Sequence, residues 1–176
     1  VGADKIGMEY VFVKGNGSYG WENVLIVANE DDTDIFINGS STVTHKLTKA
    51  GDYYLIEGAY YNLGSSNRTM YVNTSKNVYA WQGIGLGSEA NQGMFFVPPL
   101  SCQSQGEVNN IPLIEYIGTS YFGGYVTVVT NSTASVTFSD ANNSEKSLDD
   151  LSFSGGVNVT GPEAIDGADY KAYILQ

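Results

Sequence analysis

The stretch Val24-Leu25-Ile26-Val27-Ala28-Asn29-Glu30-Asp31-Asp32-Thr33-Asp34-Ile35-Phe36-Ile37-Asn38-Gly39 decides the fold class. Two runs rich in Val, Ile and Phe enclose a polar patch with three aspartates, and Asn38-Gly39 closes the second run. β-Branched and aromatic residues suit a pleated, half-buried surface and short polar residues suit a reversal, so the stretch reads as a β-hairpin. The pattern returns without a gap at Tyr125-Val126-Thr127-Val128-Val129-Thr130-Asn131-Ser132-Thr133-Ala134-Ser135-Val136-Thr137-Phe138-Ser139-Asp140. Hydrophobic positions and turn placement are shared, but the acidic turn of the first copy becomes Ser, Thr and Ala in the second. The chain is expected to be built around this duplicated hairpin, with function where the copies differ.

Working outward, strands are expected at 7–13, 41–47, 53–57, 70–72, 77–82, 94–97 and 168–175. The run Met94-Phe95-Phe96-Val97 reads as a buried strand, stopped by Pro98-Pro99. A Gly-rich loop, 83–93, precedes it. Ala168-Asp169-Tyr170 echoes Gly51-Asp52-Tyr53, so the last strand belongs to the second copy. Helix-forming residues never combine into a 3.6-residue stripe. Turn signals at roughly 8–12-residue spacing point to an all-β protein. The expected architecture is an antiparallel β-sandwich, jelly-roll or immunoglobulin-like, with a barrel as the alternative. A first β unit covers 1–100, a connection 101–110, and a second, partial unit 111–176. The second unit packs with the first, or the whole forms one continuous domain.

Composition bounds the function. The 176 residues carry a formal net charge of −11 with a single arginine, Arg68. Such a surface repels phosphate backbones and anionic lipid, so nucleic acid and membrane insertion are not expected. It suits a secreted protein or one that binds divalent cations. The lone Cys102 excludes an internal disulfide framework and a cysteine-based zinc site. The lone His45 leaves no basis for a Ser-His-Asp triad. A carboxylate pair for glycoside hydrolysis has no motif behind it, so a carbohydrate-active fragment ranks last and no enzyme is expected. The opening residues read as mature protein, which suggests a piece of a longer polypeptide.

Two candidate sites follow. Glu30, Asp31, Asp32 and Asp34 are the densest set of hard oxygen ligands, and Ca²⁺ takes its ligands from such groups, although the spacing is not that of an EF-hand. The plain alternative is a solvated turn whose Asp and Asn side chains bond their own backbone. A ligand site is assigned to Tyr60, Tyr61, Trp81, Gln82, Glu89, Asn91 and Gln92, because exposed aromatics stack on sugar rings or peptide side chains and long loops on a β scaffold carry binding residues. Adjacent residues of a strand face opposite ways, so one of Tyr60 and Tyr61 is expected to be exposed. Trp81 in the core is the competing reading.

Several phrases together carry a family resemblance: Met8-Glu9-Tyr10-Val11-Phe12-Val13, Val27-Ala28-Asn29-Glu30-Asp31-Asp32-Thr33, Ala50-Gly51-Asp52-Tyr53, Asn77-Val78-Tyr79-Ala80-Trp81-Gln82 and Met94-Phe95-Phe96-Val97-Pro98-Pro99. They resemble the domain named after the N-terminal region of IgG-Fc-binding proteins, over most of residues 7–140. The resemblance implies an extracellular, repeat-built β domain of a large bacterial secreted or surface protein. It implies adhesion to a glycan or protein surface, and it carries no catalytic residue and no Fc-contact motif onto these positions. A structural spacer is the runner-up.

Overall fold

A computed structural model describes residues 5–15, 17, 20–63, 68–84, 93–101, 106–108, 116–121, 126–139, 145–150 and 158–175. The chain folds as two compact units, Val1–Cys102 with Ile165–Ala168, and Gln103–Ala164 with Asp169–Gln176. The described residues are almost entirely β, as composition and turn spacing require, and every strand pair is antiparallel.

In the first unit the strands are β1 (Gly7–Val13), β2 (Val24–Ala28), β3 (Thr33–Ile37), β4 (His45–Leu47), β5 (Tyr53–Ile56), β6 (Thr69–Ile84) and β7 (Gly93–Phe96). The long β6 is the spine. Its N-terminal half pairs with β1 and β3, and its C-terminal half with β2 and β7. β4 continues outward from β3 and β5 from β2. The seven strands form one sheet that branches along β6 into two four-stranded arms, β1-β6-β3-β4 and β7-β6-β2-β5. Even-numbered side chains of β6 point inward: Met70 and Val72 meet Tyr10, Phe12, Ile35, Ile37 and Leu47, while Val78 and Ala80 meet Val24, Ile26, Ile56 and Val97. All belong to one buried cluster, which is what a sandwich needs.

The stretch 24–39 is not a hairpin. Asn38 N–H bonds Tyr71 O (2.8 Å), Asn29 N–H bonds Asn77 O (3.3 Å) and Gly83 N–H bonds Asn23 O (2.7 Å). Odd-numbered peptide groups of β6 thus serve both β3 and β2, so these two strands lie end to end along the same side of β6 and run in the same direction. Residues 29–32 form a corner through which the chain passes from one arm to the other. Asp32 takes φ 54° there, a left-handed conformation that Asp and Asn tolerate better than most residues. The reversal comes one strand later: Asn38 (φ 51°) and Gly39 (φ 72°) sit at the centre of a turn closed by Ser40 N–H to Ile37 O, and β3 folds back on β4.

The second unit holds β8 (Tyr116–Ile117) paired with β9 (Ser120–Tyr121), β11 (Thr137–Ser139) paired with β12 (Glu145–Ser147), and a sheet of β10 (Val126–Asn131), β14 (Tyr170–Leu175) and β13 (Val159–Ala164). Leu148, Tyr173 and Leu175 form its buried centre, with Val126, Val128, Val136, Phe138 and Val159 against them. Among the described residues, the two arms of the second sequence copy are likewise not paired with each other. β10 pairs with β14 as β2 pairs with β5, and β11 with β12 as β3 with β4. The gapless alignment is not the structural register, however. Ala28 N–H bonds Asp52 O and Ser132 N–H bonds Asp169 O, so Ala28 corresponds to Ser132 rather than to Val129.

Candidate functional site

The acidic corner is held by lysines. Asp31 accepts hydrogen bonds from Lys49 Nζ (2.8 Å) and Ala50 N–H (2.9 Å), Lys76 Nζ donates to Asp31 O (2.6 Å), and Lys46 pairs with Asp32 (3.2 Å). The Lys49 hydrogen bond, the Ala50 amide and the nearby positive charge hold the Asp31 carboxyl below the usual carboxylate range; the same pairing raises Lys49. Glu30 is exposed, its carbonyl capped by the Thr33 hydroxyl (2.8 Å), and Asp34 is bound through its backbone N–H to Ser75 Oγ (2.9 Å). Among the described residues no three His, Cys, Asp or Glu side chains come together as a metal centre. The corner is fastened to the turn that follows β4, where Gly51 has φ 89° and Asp52 accepts from Thr48 N–H, Thr48 Oγ1 and Lys49 N–H.

The aromatic positions divide differently from the expectation. Tyr60 and Tyr61 lie in a short 3-10 segment, Gly58–Leu63, so strand alternation does not govern them. Tyr61 is wholly buried in the core and Tyr60 packs against it. Burial pushes the Tyr61 hydroxyl well above its ordinary pKa, helped by the charge of Glu22. Glu22 is itself buried and accepts from Gly15 N–H (3.1 Å) and Gly17 N–H (2.8 Å), which fastens the loop after β1. Gln82 is also buried, and its side-chain amide donates to Val13 O (2.7 Å), tying β6 to the end of β1. Tyr61 and Gln82 are thus structural rather than presented to a ligand. Glu89, Asn91 and Gln92 lie outside the described residues.

Trp81 stands apart. It lies on the outer face of β7-β6-β2-β5, half-buried and turned away from the core. Registry builds two cross-strand rows there. One is Leu55, Leu25, Trp81 and Phe96; the next is Tyr53, Val27 and Tyr79. At about 4.8 Å per strand a four-strand row spans roughly 14 Å. Trp81 stacks on Tyr79 (centroids 6.0 Å apart) and meets Phe96 edge-on (5.7 Å). Met94, beside Gly83, extends the face. Tyr53 is 69% exposed, Met94 54% and Leu55 44%, and none of these eight residues is charged. The expectation of a buried strand at 94–97 holds only for Val97: Phe95 is 45% exposed on the other side of β7. The missed residues carried a signal. Val24-Leu25-Ile26-Val27-Ala28 is apolar at every position, whereas a strand with one wet face alternates.

Tyr53, Leu55 and Met94 are exposed and the other five half-buried, and contiguous aromatic and aliphatic side chains of this kind are what the centre of a protein interface is made of. A flat sheet face of this kind holds no nucleophile, acid–base pair or assembled metal set. It can bind by surface complementarity.

Among solved structures, the crystal structure of Thermotoga maritima 1070 matches at 12% identity and a TM-score of 0.34, over 52% of this chain and 92% of that one. Comparison with curated protein sequences finds no match. The family model described as IgGFc binding protein matches residues 1–169, and with nearly the whole chain inside that match the protein belongs to the IgGFc-binding family, a family of binding domains rather than of enzymes.

Proposed function

We propose that the chain is an extracellular protein-binding module, part of a larger bacterial adhesin, that presents the outer face of β7-β6-β2-β5 to its ligand. The observation that carries this reading is the pair of exposed apolar rows centred on Trp81. Aromatic side chains give large contact area at low conformational cost, and Trp and Tyr are the residues on which binding energy concentrates. A protein surface fits better than a glycan. Rings can stack on sugars, but sugar hydroxyls also need polar partners, and within the rows only the hydroxyls of Tyr53 and Tyr79 and the indole N–H of Trp81 provide them. The spacer reading leaves the exposed face without a purpose.

The family's name makes immobilised IgG Fc the first probe, followed by an array of extracellular proteins and an array of glycans. Binding to a protein that drops at least tenfold in Trp81→Ser and Tyr53→Ser, with unchanged circular dichroism, supports the proposal. A protein or glycan hit indifferent to both substitutions sinks it.

A further inference from the structure

We propose that β7 is an acceptor edge: it takes an extended segment of another protein as an additional antiparallel or parallel strand beside Met94 and Phe96. The inference deepens the reading above, since it rests on β7-β6-β2-β5 being the ligand-facing arm.

The hydrogen-bonding register carries it. Val97 N–H bonds Ala80 O (3.0 Å), so Val97 and Ala80 are a hydrogen-bonded pair. Antiparallel pairs alternate, which makes Gln82–Phe95 bonded and leaves Trp81–Phe96 and Gly83–Met94 as the non-bonded pairs. The N–H and C=O of both Met94 and Phe96 therefore point away from β6. Among the described residues β7 pairs with no other strand, so these peptide groups face outward unmatched.

Native sheets blunt such edges with charge, proline, a bulge or a cover. Two of the other edges of this unit show those devices, while β5, Tyr53-Tyr54-Leu55-Ile56, carries no charge or proline. β4 carries Lys46, and Leu100 N–H caps β1 at Glu9 O (2.8 Å). β7 reads Gly93-Met94-Phe95-Phe96, with no charge and no proline until Pro98. Its side chains are exposed on both faces, Met94 at 54% and Phe95 at 45%. An incoming strand finds main-chain partners at Met94 and Phe96 and apolar contacts above and below. Pro98 and Pro99 end the window.

Charge selects the occupant. With a net charge of −11 on each chain, pairing two copies edge to edge brings like charges together. A neutral or basic extended segment meets no such opposition. Strand addition draws affinity from the main chain and specificity from alternate side chains.

The test uses the whole chain, labelled with ¹⁵N. The probe is a synthetic peptide alternating valine and threonine, with lysine at each end. In the free chain the Met94 and Phe96 amides exchange quickly with solvent, and the Phe95 and Val97 amides slowly. Peptide shifts the Met94 and Phe96 signals and slows their exchange at least tenfold. A peptide N-methylated at alternate residues binds at least tenfold more weakly. Met94→Pro removes an N–H that β6 does not use, so the ladder stays and peptide binding goes; the N-methylated peptide decides the matter should that variant not fold. Slow Met94 and Phe96 exchange in the free chain, indifference to N-methylation, or no shift at β7 overturns the proposal. So does a dimer in sedimentation that Met94→Pro abolishes, since the occupant is then a second copy. Protein binding that needs Trp81 while the peptide leaves β7 untouched removes this inference alone. Peptide docking at β7 with no protein ligand for the face removes the broader reading and leaves the edge.

Discussion

Replacing Tyr10 with Phe tests how β6 is held where it crosses between the two arms. β1 pairs with β6 at Gly7↔Val78 and again from Glu9↔Asn73, so the register jumps and part of β6 goes unmatched by β1. The Val78 carbonyl points toward β1 at that jump. The wholly buried Tyr10 closes the gap: its hydroxyl donates to Val78 O (2.6 Å) and accepts from Gly7 N–H (2.9 Å). Tyr10→Phe keeps the ring and opens little space, so the cost comes from the carbonyl and amide left without partners. That is about 1–3 kcal/mol, where the mean hydrogen bond contributes about 1. For a unit of this size each kcal/mol lowers Tm by roughly 4–8 °C. The pH dependence supplies a second readout. Burial pushes the Tyr10 hydroxyl to about 12. An unfolded tyrosine ionises near 10, so the unfolded chain sheds this proton first and stability falls as pH rises from about 10 to about 12. The contribution is intact below about 10 and is missing in the variant. Urea unfolding at neutral and alkaline pH measures both, with Tyr53→Phe, at an exposed position, as the control. A Tyr10→Phe stability within about 0.3 kcal/mol of the parent, too small for a lost buried hydrogen bond, refutes the reasoning.

On β2, Ile26→Ala removes a core side chain and costs about 2–5 kcal/mol, whereas its neighbour Leu25→Ser leaves the fold largely intact and weakens ligand binding; thermal melts and a binding assay on the two variants separate the faces. At the corner, Asp31→Asn breaks the link to Lys49. Because the Asp31 carboxyl sits below its ordinary value, its contribution is present at neutral pH and lost as pH falls through that lowered value, so the Tm difference between parent and variant shrinks to nothing in acid. Ca²⁺ titration of the melting temperature tests the acidic corner directly: with Lys46, Lys49 and Lys76 already on Asp31 and Asp32, no upward shift is expected, and a shift abolished by Asp32→Ala restores a cation site there.

The sequence was most legible where a local rule has one outcome. Alternation and β-branching placed β1, β2, β3 and β5. The two strands expected at 70–72 and 77–82, however, are one continuous β6, whose polar residues 73–76 read as a turn, and the strand expected at 41–47 is confined to His45–Leu47. Asn38-Gly39 marked a reversal because few other pairs accept two left-handed residues in succession. Residues 29–32 misled because a corner and a hairpin turn ask for the same chemistry: short polar side chains and one left-handed residue, here Asp32. What separates them is whether β2 and β3 pair with each other or with a third strand, and that strand begins at Thr69, far along the chain. The same blindness affected charge. Nothing local in the sequence pairs Asp31 and Asp32 with lysines: β4 brings Lys46 to Asp32, and the turn after it brings Lys49 to Asp31. Tyr60 and Tyr61 failed for a local reason, since strand alternation was applied to a 3-10 segment.

The location of the proposed binding surface follows from the corner rather than from the loops. If 24–39 were a hairpin, β2 and β3 would lie side by side and close one sheet. By running on in the same direction, the chain instead places β2 beside the C-terminal half of β6 and β3 beside its N-terminal half. That choice fills the two halves differently. The outer face around β3 mixes Asp34, Lys46 and Asn73 with Phe36, and beside them Val11 and Tyr71 are buried, the Tyr71 hydroxyl donating to Glu9 (2.5 Å). The outer face around β2 carries Leu25, Val27, Tyr79 and Trp81. Both arms share one core and one spine, so stability gives no reason for the second face to be apolar outside as well. Exposed Tyr53, Leu55 and Met94 bring no burial in the isolated chain, and Met94 with Phe95 leaves β7 open to unwanted pairing. A partner that covers this face and edge removes both liabilities, and that is the physical case for seeking the ligand at Trp81 and β7 instead of at the acidic corner.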